Sequence, residues 1–170
     1  MSDQFIIREA VRDDFSRASW LAFDAMMPGL PDMAWNKRPV KMAVAEAGDK
    51  LVGMIVGHTV QVASDDPSNE NPFGGIYQLE VIASGSWLIR CLGADRDWKN
   101  QGVERQLLEF AEGLADAAGA TGLSVVFGRV RTDFVPFFEG EGFSVLAERD
   151  GLYSLGLPVT WVLMARENVH

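Results

Sequence analysis

An amphipathic segment between two apolar runs constrains the fold of this chain most. Apolar residues recur at helical spacing from Val103 to Ala118, and Gly119 follows where a helix is expected to end. The runs Trp87 to Ala94, before the helix, and Leu123 to Phe127, after it, have the length and composition of buried strands. A strand, a helix and a strand in this order form a crossover whose two strands run parallel. The sequence therefore predicts a mixed α/β protein with a partly parallel sheet.

The segments on both sides of this crossover predict further strands and helices. In chain order they are a strand at Phe5 to Arg8, a helix from Asp13 or Asp14 to near Pro28, strands at Lys41 to Ala47 and Lys50 to Val62, a strand that Ile76 to Ile82 extends or adds, a helix at Asp133 to Glu139, and strands at Phe143 to Glu148 and Thr160 to Arg166. Gly48 and Asp49 suit the tight turn of an antiparallel hairpin. A chain of 170 residues has the length of one domain, so residues 1–170 are expected to form a single domain.

Charge and composition exclude several classes of function. A formal net charge of −9 disfavours nucleic acid and anionic membranes as partners and favours small cationic ones. No stretch approaches the roughly 20 apolar residues that span a bilayer, and residues 1–7 lack a signal pattern. Cys91, the single cysteine, cannot form an intramolecular disulfide, so we expect a reducing cytoplasm. With two histidines, the chain has too few ligands for a structural zinc site, and no metal is expected.

A polar loop joins the first strand of the crossover to its helix. The start of a helix directs unpaired amides and the positive end of the helix dipole at one point, which suits a pyrophosphate. Gly102 permits close approach of the backbone, and Lys99, Arg96 and Arg105 add local positive charge. A plain helix start, with Asn100 as its cap, is the alternative interpretation.

The segment from Leu92 to Leu108, LGADRDWKNQGVERQLL, and the segment from Phe137 to Phe143, FFEGEGF, together resemble the GNAT N-acetyltransferase superfamily. That family has a loop of the pattern R/Q-x-x-G-x-G/A before a long helix, and a late helix that usually ends in F-Y-x-x-x-G-F. The resemblance implies a GNAT-like acyl-CoA N-acyltransferase fold, with a central mixed, partly parallel sheet flanked by helices. It also implies transfer of an acetyl group from acetyl-CoA to an amine, which we expect to be a small molecule, and a homodimer.

The resemblance implies roles for individual residues. It places the coenzyme against Lys99, Asn100, Gln101, Gly102, Val103, Glu104, Arg105 and Arg131, and it places the donor to the oxyanion among the backbone amides of Leu92, Gly93 and Ala94. The family's base is often a carboxylate on the strand before the loop, and this strand contains none. Glu80 and His58 are the available catalytic bases, although a packed strand histidine is the blander interpretation of His58.

Four positions depart from the family's pattern. Glu104 replaces a small residue of the loop, Phe138 replaces the tyrosine that protonates the leaving thiolate, and Arg131 and Phe134 replace an asparagine and an alanine of the late helix. Because a thiol has a pKa of about 8.5, the thiolate can leave without full protonation, so Phe138 lowers the rate without forbidding the reaction. The alternative function is a GNAT-fold binding or interaction protein whose coenzyme site is weakened or lost.

The amine is expected to bind between two segments that are distant in the chain. These are Phe23 to Trp35 and Ser64 to Gly75, which carry the apolar side chains of Met26, Met27, Trp35 and Phe73. Acidic residues of the second segment suit a cationic substrate, and a solvated loop is the alternative.

Overall fold

A computed structural model describes residues 4–18, 40–60, 79, 80, 82–129, 134–152 and 156–167. The chain divides into two compact units. The first comprises Met1–His58 and Ile89–Ala117, and the second comprises Thr59–Leu88 and Ala118–His170. The fold class is the predicted one, mixed α/β, and the described residues form seven strands in a mixed, partly parallel sheet with helices that flank it.

Four of the described strands lie wholly or mostly in the first unit, in the order β1-β2-β3-β4. They are β1 Ile6–Glu9, β2 Lys41–Ala47, β3 Lys50–Thr59 and β4 Trp87–Ala94. β1 pairs antiparallel with β2, and β2 pairs antiparallel with β3. Gly48, at a φ of 60°, forms the predicted turn of the β2-β3 hairpin. Most side chains of β2, β3 and β4 are buried, so these strands carry the core of the unit.

In the described part of the first unit the helical segments are α1 Asp14–Ala18, a 3₁₀ helix at Arg96–Trp98 and α2 Val103–Ala117. α2 agrees with the predicted helix to within one residue. Its fully buried apolar side chains recur at helical spacing and are Val103, Leu107, Leu108, Ala111 and Ala115. Gly119, just beyond it, has a φ of 71°, the left-handed conformation that commonly ends a helix.

An ion network connects the start of α1 with β1 and β2. Arg8 donates from Nη1 to Asp14 Oδ2 at 2.7 Å and from Nε to Glu46 Oε2 at 3.0 Å. The backbone amide of Val11 donates to the same Asp14 oxygen at 2.8 Å. Asp14 is buried, and the hydrogen bonds from Arg8 chiefly, and then from Val11, hold the pKa of its carboxyl below the ordinary value. The network therefore stabilises the folded state most when Asp14 is ionised.

We expect Asp14→Asn to lower the free energy of unfolding by about 2 kcal/mol near neutral pH, because Arg8 and Val11 lose a charged acceptor. Since folding lowers the pKa of Asp14, its contribution is present above the unfolded value of 3.8 and is lost as the pH falls through the folded value. Urea unfolding from about pH 7 down to about pH 3 measures this. Asp13→Asn, at the exposed neighbour, is the control. A deficit of Asp14→Asn that stays constant over this range contradicts the prediction.

The second unit contains β5 Gly122–Gly128, α3 Phe134–Gly140, β6 Ser144–Leu152 and β7 Pro158–Glu167. Its strands lie in the order β5-β7-β6, and both pairings are antiparallel. The predicted strands are confirmed, but β6 continues four residues beyond Glu148, because its pairing with β7 persists to Leu152 opposite Pro158.

The strand predicted at Ile76 to Ile82 is wrong in its described part. Residues 79, 80 and 82 are helical, and the amide of Ala83 donates to the carbonyl of Leu79 at 3.0 Å. Leu79 and Ala83 are four positions apart, so a helical turn brings both into one buried cluster with Val159, Trp161 and Leu163. This shared packing outweighs the β-prone composition of the segment.

Several predictions lie outside the described residues. These are the first helix beyond Ala18, the end of the hairpin at residues 61 and 62, residues 76–78, and Asp133 at the start of the late helix. Within the part of the chain that is described, no helix combines the length and the hydropathy that crossing a bilayer requires.

Candidate functional site

β4 leads directly into the predicted coenzyme loop. Its last residues, Leu92, Gly93 and Ala94, are buried, and their backbone amides are the predicted oxyanion donors. Asp95 follows, and its own amide donates to the carbonyl of Val52 in β3 at 2.8 Å. The loop therefore starts from a backbone position that is fixed against β3.

Asp95 is a residue of this site that the sequence analysis missed. Its carboxylate accepts the amide of Asp97 at 2.9 Å, as the cap of the 3₁₀ helix, and pairs with Lys50 Nζ at 2.7 Å. The Lys50 ammonium chiefly, and then the Asp97 amide, hold the pKa of Asp95 below its ordinary value. The capping half of this arrangement has a local signal, an aspartate just before a helical turn, but the partner in β3 has none.

We expect Asp95→Ala to lower the free energy of unfolding by about 2 kcal/mol, because a helix cap and a buried charged acceptor are lost together. Asp97→Ala is the matched control, since Asp97 is exposed and contributes its backbone amide, which the substitution keeps. Urea unfolding of both variants measures the difference. Equal losses in the two variants would show that the Asp95 carboxylate does not hold the loop.

Two residues of the loop adopt the left-handed conformation that the turn requires. Asn100 has a φ of 65° and Gly102 a φ of 82°, and no atom lies within 4 Å of the place a side chain would take at Gly102. The first hydrogen bond of α2 runs from the amide of Gln106 to the carbonyl of Gly102 at 3.1 Å. The amides of Val103 and Glu104 therefore precede the helical ladder and belong to its N-terminus. This is the geometry that suits a pyrophosphate.

Gly53 in β3 determines how closely the start of α2 approaches the strand, and the sequence analysis missed it. A side-chain carbon built at Gly53 would lie 2.5 Å from Val103 Cγ1, 3.1 Å from Leu107 Cδ1 and 3.1 Å from the carbonyl oxygen of Gly93. Only glycine leaves room for both the helix and the end of β4. A glycine inside a strand is the one signal that could have indicated this close approach.

Glu104 is buried, with 8% of its surface exposed. Its carboxylate accepts a hydrogen bond from its own backbone amide. Burial raises the pKa of Glu104, while that hydrogen bond and the positive charge of Lys99 act in the opposite direction. The side chain therefore lies at the helix start. Its carboxylate is hydrogen-bonded to a backbone amide that, in the GNAT pattern, is expected to bind phosphate.

The cations predicted around the loop differ in exposure. Lys99 is half-buried and close enough to Glu104 to affect its pKa, whereas Arg96 and Arg105 are exposed. Arg131 lies outside the described residues, as do the two segments predicted to bind the amine. Among the described residues, no three histidine, cysteine, aspartate or glutamate side chains gather into a group that could hold a metal ion.

His58 lies in β3 with only 4% of its surface exposed, and Arg90 of β4 donates from Nε to His58 Nε2 at 2.9 Å. Because Nε2 accepts this bond, the imidazole is neutral and carries its proton on Nδ1. The lone pair that a general base needs is therefore engaged by Arg90, a partner that the sequence analysis did not identify. Glu80, the other predicted base, lies in the second unit and is also buried.

Solved acetyltransferase structures are similar to this chain. The ribosomal-protein-S18-alanine N-acetyltransferase of Escherichia coli has 16% identity and a TM-score of 0.66, over 98% of this chain and 99% of that one. A GNAT-family protein of Desulfovibrio desulfuricans has 11% identity and a TM-score of 0.66, over 96% and 99%. A Bacillus subtilis acetyltransferase in complex with CoA has 15% identity and a TM-score of 0.61, over 98% and 99%. The chain has the GNAT fold.

No family model matches the sequence, and no curated protein matches it. At the identities above, the likeness concerns the fold, and it confirms the architecture that the two GNAT motifs predict. In this chain a strand, a turn with left-handed residues and a long helix follow one another, which is the order of elements that the sequence predicts.

Phe138, at the position of the GNAT tyrosine, is a core residue of the second unit. It is fully buried, stacks on Phe127 with 6.0 Å between ring centroids, and makes edge contacts with Phe137 and Phe143. The phenyl ring has no proton to donate. The two phenols of the chain, Tyr77 and Tyr153, lie outside the described residues.

Proposed function

We propose that this chain is an N-acetyltransferase that transfers the acetyl group of acetyl-CoA to the amine of a small molecule. The observation that carries the proposal is the loop between β4 and α2, where Asn100 and Gly102 take left-handed conformations before a helix start in a GNAT fold. This geometry directs backbone amides at one point.

The loop fits the diphosphate of the coenzyme in its backbone and in its flanking charges. Open space at Gly102 lets an oxygen approach the chain, the amide of Val103 lies at the helix start, and Lys99, Arg96 and Arg105 supply positive charge. The carboxylate of Glu104, in its present position, does not fit, because it places a negative charge at the same helix start. The proposal therefore requires Glu104 to move when the coenzyme binds.

The chemistry needs a donor for the oxyanion that develops on the thioester carbonyl. We assign this role to a backbone amide among Leu92, Gly93 and Ala94, as in the pattern that the sequence resembles. These residues are buried, and a donor in a low-dielectric environment stabilises a developing negative charge more than an exposed donor does.

The amine must also lose a proton, and the thiolate must leave. Glu80 and His58 are the proposed bases, and His58 can accept a proton at Nε2 only when its hydrogen bond from Arg90 opens. With phenylalanine at position 138, the thiolate leaves without a proton from that position. The rate of acetyl transfer should therefore depend strongly on the pKa of the thiol that leaves.

The remaining parts of the proposal concern partners and location. The net charge of −9 favours a cationic amine over an acidic one. We propose a single domain, a cytoplasmic location and a homodimer. Among the described strands β6 pairs only with β7, and it exposes Val145, Leu146 and Leu152, which supports a contact between two copies at that edge.

The decisive experiment measures acetyl-CoA consumption by the full chain over a panel of small amines, with product identified by mass spectrometry. Acetylation of at least one amine, reduced in Glu80→Gln or in His58→Gln, supports the proposal. If neither substitution changes the acetylation rate, neither Glu80 nor His58 is the base.

A GNAT-fold binding protein without turnover is the second function, and the buried Glu104 favours it. Calorimetry with coenzyme A separates the two. Micromolar binding by the natural chain supports the transferase, and the absence of binding together with the absence of acetylation supports the binding protein.

A further inference from the structure

Glu104 combines three properties that an ordinary first-turn glutamate lacks. It is 8% exposed although a glutamate at a helix start is commonly solvated, it accepts its own backbone amide, and burial disfavours its charged form. It is also one of the buried residues of α2, directly after Val103. The carboxylate is therefore held at the helix start by the fold.

The carboxylate and a diphosphate have the same requirements at this place. Each is an anion with oxygen acceptors, each gains from the positive end of the helix dipole, and each uses amides that have no partner within the helix. One helix start cannot serve both at full strength, and two anions in a poorly solvated place repel each other. Lys99 is the one described cation whose charge reaches the Glu104 carboxyl, and it too would be shared.

We propose that Glu104 is a specificity-determining residue that occupies the anion position of the loop and thereby discriminates against the diphosphate of the acyl donor. The inference rests on the proposed function. A donor that carries a diphosphate must displace the carboxylate, which costs binding free energy. A donor that ends at the pantetheine arm leaves the carboxylate in place and avoids this cost. The difference in affinity between acetyl-CoA and the acetyl thioester of pantetheine, which lacks the nucleotide, should therefore be small in the natural chain. It should be larger in a chain that has a small residue at the loop position of Glu104.

The test is calorimetry of the full chain with two probes, coenzyme A and pantetheine. Glu104→Gln keeps the shape of the side chain and removes its charge, and Glu104→Ala removes the acceptor oxygens as well. Glu109→Gln is the matched control, because Glu109 is an exposed glutamate on the same helix and the change in net charge is identical. Thermal unfolding of each variant verifies that it is folded.

We expect the affinity for coenzyme A to rise about tenfold in Glu104→Gln and further in Glu104→Ala, and to change less than about twofold in Glu109→Gln. The affinity for pantetheine should stay the same in all three. Added salt should reduce the gain, because it screens the repulsion that the substitution removes.

The outcomes separate this inference from the proposed function. Equal affinity for coenzyme A in the natural chain and in both Glu104 variants overturns the inference and leaves the transferase intact. An equal gain for pantetheine also overturns it, because the effect then lies outside the diphosphate. If no folded variant binds coenzyme A or pantetheine, the proposed function fails together with its coenzyme.

Discussion

Replacement of Phe138 by alanine is expected to lower the free energy of unfolding by about 3 to 5 kcal/mol. Phe138 has no exposed surface, stacks on Phe127 at 6.0 Å with an interplanar angle of 16°, and contacts Phe137 and Phe143 edge-on at 5.1 Å. Truncation removes the ring from these contacts and leaves a cavity that the surrounding aromatic rings can fill only in part. Urea unfolding at constant pH measures the loss.

Phe138→Leu is the control for this prediction. It conserves most of the apolar volume, so the loss should be about 1 kcal/mol. A loss below about 1 kcal/mol in Phe138→Ala would mean that the aromatic cluster is not a core of the second unit.

Phe138→Tyr tests separately whether this position takes part in catalysis. A hydroxyl added to a fully buried ring needs a hydrogen-bond partner, and we expect a loss of stability of about 1 to 3 kcal/mol without a gain in kcat. A clear rise in kcat would show instead that this position still faces the leaving thiolate.

Gly53→Val is expected to lower the free energy of unfolding by about 3 kcal/mol and to weaken coenzyme binding at the same time. The first added carbon already lies within 2.5 Å of Val103 Cγ1 and within 3.1 Å of the Gly93 carbonyl. The helix start and the end of β4 cannot both keep their places, and these two segments carry the proposed diphosphate site and the proposed oxyanion donor. Urea unfolding and calorimetry with coenzyme A measure the two effects.

Gly113→Ala provides the matched comparison in the same unit. Gly113 lies inside α2, is exposed, and has no atom within 4 Å of an added side chain. Alanine is the better helix former, so this variant should be more stable by up to about 1 kcal/mol, with coenzyme binding unchanged. If Gly53→Val is as stable as the natural chain, the close approach of β3 to α2 is not a constraint on the site.

Compared with the GNAT pattern that the sequence resembles, the candidate site has the backbone features and differs in its side chains. The turn with Asn100 and Gly102, the start of α2 and the amides at the end of β4 are all present. Glu104 and Phe138 depart from the resembled pattern, and both are buried, Glu104 at the start of α2 and Phe138 in the aromatic cluster of the second unit. Tests of coenzyme affinity and of leaving-group dependence therefore inform separately on binding and on turnover.

Part of this structure was predictable because it depends on short-range periodicity. The apolar spacing of α2 and the continuous apolar run of β4 predict elements whose bounds agree with the structure to within one residue. The turn at Gly48 was predictable for a similar reason, since two adjacent residues determine its backbone angles. The order of strands and helices predicted the mixed α/β class, and the two GNAT motifs, which are also local, implied the GNAT-like fold.

Only tertiary contacts decided the rest. Residues 79, 80 and 82 are helical because Leu79 and Ala83 pack together on β7 residues that are distant in the chain. The salt bridge of Asp95 with Lys50 joins the loop after β4 to β3, and the hydrogen bond of His58 with Arg90 joins β3 to β4. The burial of Glu104 likewise results from how the helix packs, since a first-turn glutamate by itself is equally compatible with solvent. Periodicity within a segment determines which face it buries, whereas the partners that it meets depend on where the chain brings remote segments together.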